Sequence, residues 1–247
     1  MGYTKYLEIC RRAVEGDMFD TFKSHDDYRQ ILEHLGYNDS LVHLTAIERD
    51  NPDLITMLSV FADNDIIGST QTCSYPSLGM DISPSTIRYT KVLSDLILHF
   101  GYLDGMDIVE IGGGYGGQCL IVDKAFAFNS YTIIDLKEPS ALQRKYLDYH
   151  GVENVRCVTP DMLEFDNIDL CISNYAFSEI GRTFQDAYIE KVIKPAKNGY
   201  ITCNVFGNDN INTPLTREDV VALKPNHLVL KEEPHMVEDN FIYIWHE

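Results

Sequence analysis

The stretch Asp107-Ile108-Val109-Glu110-Ile111-Gly112-Gly113-Gly114-Tyr115-Gly116-Gly117-Gln118 decides the fold of this chain. Residues 107–111 read as a short buried strand, and the glycines after them permit a tight turn and a close approach of the backbone to a ligand. Helical spacing resumes at Gln118, so the free amide groups of a helix N-terminus would face that ligand. The stretch therefore predicts a strand, a ligand-binding turn and a helix in succession.

The glycines fit two cofactor patterns. A GxGxxG dinucleotide motif runs from Gly112 to Gly117, whereas the acidic-x-Gly-x-Gly-x-Gly pattern of methyltransferases runs from Glu110 to Gly116. In either pattern Asp135, at the end of the next predicted strand, is placed to accept hydrogen bonds from ribose hydroxyls. The turn by itself leaves both cofactors open.

The chain around and after the turn alternates β-rich runs with helical ones. The predicted strands are 107–111, 131–135, 155–159, 168–173 and 200–205, and the helices between them are 118–128, 139–150 and 183–193. This alternation predicts a parallel sheet with helices on both faces. The runs 228–232 and 241–245 are joined only by a turn-rich loop and predict an antiparallel hairpin. The expected fold class is α/β, a Rossmann-like sheet of seven strands.

The first third of the chain has a different pattern of apolar residues. Residues 3–63 show apolar positions at helical spacing, and a further helix is expected from Ser85 to Gly101. The polar stretch 64–86 is either a plain linker or a lid over a ligand, in which case Tyr75 would contact the substrate. We therefore expect an N-terminal helical extension with a lid over residues 1–85, and the α/β domain over 86–247.

Composition limits the partners and the compartment. Lysine and arginine number 20 against 38 aspartate and glutamate, so the net charge of −18 disfavours nucleic acids and anionic membranes. The six cysteines form no CxxC pair and are expected to be reduced core thiols. No signal peptide and no run long enough to span a bilayer is seen, which predicts a cytoplasmic protein.

Beyond the turn, the chain resembles the class I S-adenosylmethionine-dependent methyltransferases. The expected C-terminal hairpin, the helical extension and the acidic residue before the first glycine all match that class. Segments 83–89, 107–118, 131–139 and 173–180 are similar to the family of sugar O-methyltransferases. The resemblance spans roughly residues 70–247. It implies S-adenosylmethionine as cofactor and a sugar or nucleotide-sugar hydroxyl as acceptor.

The resemblance also implies roles for the cofactor-binding residues. Glu110 would organise the turn, and Gly112, Gly113 and Gly114 would pack against the methionine part of the cofactor. Leu136, next to Asp135, would lie against the adenine ring. Asp161, with Met162 beside it, would meet the adenine amino group, although Thr159-Pro160-Asp161 is also a natural helix start. Arg88 would bind the cofactor carboxylate, although it could equally be a solvated charge on a helix.

The acceptor is expected beyond the fourth strand, because ligands of α/β sheets bind outside the carboxyl ends of the strands. There Asn174 would face the cofactor, and Ser178 would contact the acceptor. Glu179 is the first candidate for the general base, unless it caps or salt-bridges a surface helix. Tyr175 is the second catalytic candidate, with stacking on the sugar or a place in the core as alternatives. Arg182 could meet a diphosphate.

Other chemistries are less favoured by the residues. A magnesium ion would need carboxylates where the chain has Asn174 and the run Asn208-Asp209-Asn210, so no metal is predicted. Three histidines remain alternative bases, namely His227, His235 and His246. An NAD-dependent oxidoreductase or epimerase is the alternative enzyme, yet Lys191 lies one residue short of the Tyr-x-x-x-Lys spacing from Tyr188. A non-catalytic cofactor-binding subunit is the third alternative, and any of them could form a homodimer.

Overall fold

The computed structural model describes residues 2–204, 215–234 and 239–247. The helices within these ranges are α1 Gly2–Glu15, α2 Asp26–Arg29, α3 Tyr37–Asp50, α4 Asp53–Phe61, α5 Pro84–Phe100, α6 Gly117–Ala125, α7 Lys137–Tyr149, α8 Ala176–Glu179, α9 Arg182–Tyr188 and α10 Arg217–Val221. Short 3₁₀ helices cover Phe22–Ser24 and Ala62–Asp65, and a π-helical turn, Ile189–Ile193, continues α9. The strands are β1 Cys73–Tyr75, β2 Met80–Ile82, β3 Asp107–Ile111, β4 Ser130–Ile134, β5 Val155–Val158, β6 Leu170–Asn174, β7 Asn198–Cys203, β8 His227–Lys231 and β9 Phe241–Trp245.

The chain divides into two compact units. The first unit contains the residues up to Tyr102 together with Gly114–Phe126 and Lys137–Glu153. The second unit contains Leu103–Gly113, Ala127–Leu136 and Asn154–Glu247. The glycine turn thus contributes residues to both units. None of the helices in the described ranges is long and apolar enough to cross a membrane.

The second unit is built on a seven-stranded sheet in the order β5-β4-β3-β6-β7-β9-β8. The first five strands of that order are parallel, whereas β9 runs antiparallel to both β7 and β8. The prediction of a Rossmann-like sheet of seven strands that ends in an antiparallel hairpin is therefore confirmed. The carboxyl ends of β3 to β7 lie at one edge of the sheet, which we call the carboxyl edge.

Packing at the end of the sheet depends on one glycine. Gly199 on β7 pairs with Trp245 on β9, and a Cβ atom at Gly199 would lie 2.0 Å from the Trp245 ring. The indole Nε1 donates to the carbonyl of Ala196 at 3.2 Å, which satisfies the polar atom of a buried ring. Because every residue of β9 is buried, this strand carries the apolar run that the sequence shows.

The first unit is helical, as the N-terminal apolar spacing predicts. Ser83 caps α5 by accepting a hydrogen bond from the Thr86 amide at 3.1 Å, and Pro84 occupies the first turn, where its missing amide costs nothing. The prediction was incomplete for residues 64–86. That stretch contains β1 and β2, which pair antiparallel, because a hairpin of three-residue strands is too short to show an alternating pattern.

Candidate functional site

The glycine turn after β3 leaves no room for side chains in the second unit. A Cβ atom at Gly112 would lie 2.1 Å from Cβ of Ala176, and one at Gly113 would lie 2.5 Å from Cγ2 of Ile133. Gly112 also adopts a φ of +73°, which side chains rarely tolerate. Ala176 and Ile133 therefore pack directly against the backbone of the turn, so these two positions have room only for glycine.

Glu110 lies beneath this turn as a buried carboxyl group. It is 2% exposed and accepts a hydrogen bond from the Tyr131 hydroxyl at 2.9 Å. Burial raises the pKa of Glu110 to about 7, the Tyr131 hydrogen bond opposes that rise, and the charge of Asp135 adds to it. Its Oε2 atom would be 3.1 Å from a Cβ at Gly113. Glu110 thus supports the turn through contact with it, and a direct role in cofactor binding stays a prediction.

The side chains predicted to hold the nucleoside follow β4 and β5. The amide of Asp135 donates to the carbonyl of Val158 at 3.0 Å, and its own carboxylate accepts from the amide of Leu136 at 2.8 Å. Asp161 is exposed, accepts from the Thr159 hydroxyl at 2.5 Å, and precedes a half-exposed Met162. Since β4 and β5 are parallel neighbours, these residues share the carboxyl edge.

Asn174 ends β6 with an unsatisfied side chain. Both polar atoms of its amide are buried and have no hydrogen-bond partner. Ile172 and Glu110 are paired in neighbouring parallel strands. Asn174 stands two residues after Ile172, and Gly112 stands two residues after Glu110. Native proteins leave few buried polar groups unpaired, and a bound water or ion or a catalytic role is a recognised reason for an exception. The free amide is therefore the feature of this edge that fits a polar ligand.

Tyr175 has an unusual backbone and a buried partner. Its φ of +68° is rare for a large side chain, and such strain concentrates at functional sites. The Tyr175 hydroxyl donates to the carboxylate of Glu232, which is 7% exposed. The other oxygen of Glu232 accepts from the side-chain amide of Asn240 at 3.0 Å.

Sequence reasoning missed Glu232 and Asn240. Glu232 lies 57 residues after Tyr175 in the chain, and no spacing rule connects them. The available signal was that Glu232 ends the first predicted strand of the C-terminal hairpin and Asn240 directly precedes the second. The antiparallel return of β9 brings them to the carboxyl edge.

The remaining acceptor-side candidates are arranged around α8. The Ser178 hydroxyl donates to the Tyr175 carbonyl at 2.8 Å and accepts from the Asn204 amide at 3.0 Å. Glu179 is exposed and accepts from the side-chain amide of Asn204. Arg182 is exposed and pairs with Asp186 at 2.7 Å. Their proposed roles stay predictions.

Three of the predicted residues belong to the first unit. Gly114 has a φ of +58°, and a Cβ there would lie 3.2 Å from Cδ1 of Leu32. Arg88 is half-buried on α5. Tyr75 on β1 is buried, and its hydroxyl is hydrogen-bonded to Ser40 of α3.

Some residues of the metal alternative and one of the three candidate histidines lie outside the described residues. In the described ranges, no group of three or more histidine, cysteine or acidic residues could hold a metal ion. The Asn208-Asp209-Asn210 run and His235 lie outside the described residues. His227 is hydrogen-bonded through Nδ1 to the carbonyl of Lys224 at 2.7 Å, and His246 follows β9.

Comparison with known proteins gives similar solved structures at low identity. No protein-family model matches the sequence, and no curated protein is significantly similar to it. A SAM-dependent methyltransferase from Aquifex aeolicus is 16% identical over 64% of this chain and 88% of that chain, with a TM-score of 0.48. Magnesium protoporphyrin IX methyltransferase from Synechocystis is 13% identical over 65% and 82%, with a TM-score of 0.47. An rRNA methylase from Streptococcus thermophilus is 14% identical over 59% and 89%, with a TM-score of 0.44. At these values the similarity carries no conclusion about what this chain binds.

Proposed function

We propose that this protein is an S-adenosylmethionine-dependent methyltransferase whose acceptor is a hydroxyl group of a sugar or nucleotide sugar. The observation that carries the proposal is the buried, unpartnered amide of Asn174 next to the glycine turn. A cofactor that lies beside this turn and offers polar atoms would supply hydrogen bonds to the Asn174 amide. The strand order and the acidic residue before the first glycine favour the methyltransferase pattern over the dinucleotide pattern.

The second unit supplies most of the proposed cofactor contacts. Asp135 would accept hydrogen bonds from the ribose hydroxyls, and Leu136 would lie against the adenine ring. Asp161 and Met162 would meet the adenine amino group. Asn174 would use its amide to hold the cofactor near the reacting centre. When bound, the cofactor supplies a methyl group on a sulfonium leaving group.

The sugar acceptor rests on two observations. The segment 173–180 resembles that of sugar O-methyltransferases, and in the structure it carries Tyr175, Ser178 and Glu179 next to the end of β6. A net charge of −18 also favours a small acceptor over a phosphate polymer. The chain must then align the acceptor oxygen in line with the methyl group and remove its proton.

Two carboxylates stand where they could take that proton. Glu179 is exposed to an incoming acceptor, and the Asn204 amide orients it. Glu232 is buried and contacts the Tyr175 hydroxyl, so it could act only through that tyrosine. We propose Glu179 as the base that touches the acceptor. A positioned base contributes about 10²- to 10⁴-fold in rate.

Calorimetry with S-adenosylhomocysteine and with NAD tests the cofactor. We expect S-adenosylhomocysteine to bind and NAD not to bind. The Asn174→Leu variant should bind S-adenosylhomocysteine at least about 10-fold more weakly. Without ligand it should be as stable as the wild type or more stable by up to about 2 kcal/mol, because an unsatisfied polar group has been removed. Tight NAD binding without S-adenosylhomocysteine binding would overturn the proposal.

The acceptor and the base are tested by methyl transfer. Radiolabelled S-adenosylmethionine is incubated with a panel of nucleoside diphosphate sugars, and methyl incorporation identifies the acceptor. At saturating acceptor, Glu179→Gln should lower kcat by about 10²- to 10⁴-fold. Glu232→Gln is the matched variant. Unchanged turnover in Glu179→Gln together with a loss in Glu232→Gln would move the proton acceptor to the Tyr175–Glu232 pair.

A further inference from the structure

The backbone of Tyr175 is held in its left-handed conformation by hydrogen bonds on both sides. Its amide donates to the carbonyl of Thr202 on β7 at 2.9 Å. Its carbonyl accepts from the amide of Ser178 at 3.0 Å and from the hydroxyl of the same serine at 2.8 Å. A φ of +68° costs a tyrosine on the order of 1–3 kcal/mol and persists only where the surroundings impose it. The second unit therefore fixes this half-buried side chain directly after Asn174 at the carboxyl edge.

Glu232 is fixed by the C-terminal hairpin. It directly follows β8, and Asn240 directly precedes β9, so the two residues extend the ladder in which Lys231 pairs with Phe241. The amide of Glu232 donates to the carbonyl of Asn240 at 3.3 Å, and the side-chain amide of Asn240 donates to Oε2 of Glu232 at 3.0 Å. Glu232 is 7% exposed and Asn240 is 3% exposed. The position of the Glu232 carboxylate is thus set by two hydrogen bonds from one neighbour.

These contacts set the direction of the hydrogen bond between Tyr175 and Glu232. Oε1 of Glu232 accepts from the Tyr175 hydroxyl, since a carboxylate has no proton to donate. A tyrosine hydroxyl has a single proton, and its oxygen can also accept hydrogen bonds. Because that proton is committed to Glu232, a ligand group that meets the Tyr175 oxygen must donate to it.

The carboxylate proposed as the base also requires a donor. Glu179 stands four residues after Tyr175 at the end of α8, and the side-chain amide of Asn204 orients its exposed carboxylate. In the proposed reaction Glu179 takes the proton of the reacting hydroxyl, so that proton is not available to Tyr175. The Tyr175 oxygen needs a second donor. A sugar offers one in its other hydroxyls, whereas an alcohol with a single hydroxyl does not.

We propose that Tyr175 accepts a hydrogen bond from a second hydroxyl of the sugar, and that Glu232 is the positioning residue that holds the tyrosine for this contact. The inference rests on the proposed function and narrows the acceptor to a sugar with a donor hydroxyl close to the methylated one. The second hydroxyl does not react, so the contact is the same before and during methyl transfer. Its loss should therefore raise KM and leave kcat nearly unchanged.

Kinetics with fluorinated sugars test the inference. The nucleoside diphosphate sugar that the wild type methylates is compared with analogues in which one other hydroxyl at a time is replaced by fluorine, which cannot donate. For one analogue the wild-type KM should rise about 3- to 10-fold, the loss expected for one hydrogen bond. In Tyr175→Phe the KM for the parent sugar should rise by the same factor, and fluorination at that position should add nothing.

Two changes at Glu232 separate a positioning role from a structural one. Glu232→Leu releases the tyrosine proton, so Tyr175 can donate to the fluorine and the penalty for that analogue should fall below about 2-fold. Glu232→Gln keeps an oxygen for that proton, and its amide can face the turned side chain of Asn240, so it should keep the wild-type pattern. Tyr243→Phe is the control. It removes another buried hydroxyl, which accepts from the Lys224 amide at 2.9 Å, and should change neither KM.

The outcomes separate the inference from the proposed function. A wild type that tolerates fluorine at every position would overturn the inference, as would a Tyr175→Phe variant in which fluorination still costs as much as in the wild type. Methylation of the parent sugar would uphold the proposed function in both cases. No methyl incorporation into any sugar would overturn the proposed function and the inference with it. If Glu232→Leu does not fold, the wild type, Tyr175→Phe and Glu232→Gln still decide.

Discussion

Two buried polar groups of the carboxyl edge differ in their hydrogen bonding. The Glu110 carboxyl accepts a hydrogen bond from Tyr131, whereas neither polar atom of the Asn174 side-chain amide has a partner. The Asn174 amide therefore lowers the stability of the ligand-free fold, since a buried polar atom without a partner costs about 1–3 kcal/mol. Such costs are expected where a protein keeps groups for a ligand.

The steric account of the glycine turn can be tested by adding a methyl group where there is no room for one. Gly113→Ala would place a methyl group 2.5 Å from Ile133 Cγ2, although Gly113 lies outside the left-handed region. We expect a loss of about 1–3 kcal/mol in the free energy of unfolding, measured by urea denaturation, and weaker binding of S-adenosylhomocysteine.

Gly181→Ala is the matched control for that substitution. Gly181 has a φ of −64°, and a Cβ there would meet nothing within 4 Å. Its unfolding free energy should stay within about 0.5 kcal/mol of the wild type. Equal effects at both positions would contradict the steric account of the turn.

The pKa of Glu110 predicts how stability changes with pH. The folded carboxyl keeps its proton up to about pH 7, whereas its ordinary value is 4.5. The folded state is therefore favoured below about pH 4.5 and loses on the order of 3 kcal/mol as the pH rises to about 7. Glu110→Gln keeps an acceptor for Tyr131 and removes the ionisation.

Urea denaturation of both proteins between pH 4 and about 8 measures this contribution. The difference in unfolding free energy should grow in favour of Glu110→Gln as the pH rises through the window set by the two pKa values. A difference that stays constant with pH would show that Glu110 ionises as freely in the folded protein as in the unfolded one.

At the scale of elements, the long periodic segments were predictable and the short ones were not. The predicted strands 107–111 and 241–245 match β3 and β9, and the other strands of the main sheet differ by a few residues at their ends. The hairpin of β1 and β2 was missed. Predicted helix 183–193 is α9 continued by the π-helical turn, a change of hydrogen bonding that apolar spacing does not reveal.

The β1–β2 hairpin gives the lid hypothesis a concrete form. The segment 64–86 holds Tyr75 buried against Ser40, whereas Ile66 is 61% exposed. If the segment closes over a ligand, S-adenosylhomocysteine should slow its cleavage by a nonspecific protease, detected by mass spectrometry of the fragments. Cleavage near Tyr102, which is 79% exposed, should not change and serves as the internal control. Equal cleavage with and without ligand would leave the segment a linker.

At the scale of the whole molecule, charge limits the partners. With a net charge of −18, the long-range field repels phosphate polymers, and any nucleic-acid acceptor would need a strong local compensation. We expect no retardation of a transfer RNA in a gel at about 0.15 M salt, where screening acts over roughly 8 Å. Retardation that grows as the salt is lowered would contradict the small-molecule acceptor.

The sequence by itself determined the sheet, its antiparallel C-terminal hairpin and the glycine turn. These features depend on local periodicity and on positions that only glycine can occupy. It also brought Asp135, Asp161 and Asn174 to one edge, since the carboxyl ends of parallel strands meet there. Only the tertiary structure decided which polar groups are left without partners. The contact of Tyr175 with Glu232 joins residues far apart in the chain, and the Asn174 amide has no hydrogen-bond partner. Burial and pairing depend on three-dimensional neighbours that no local pattern encodes.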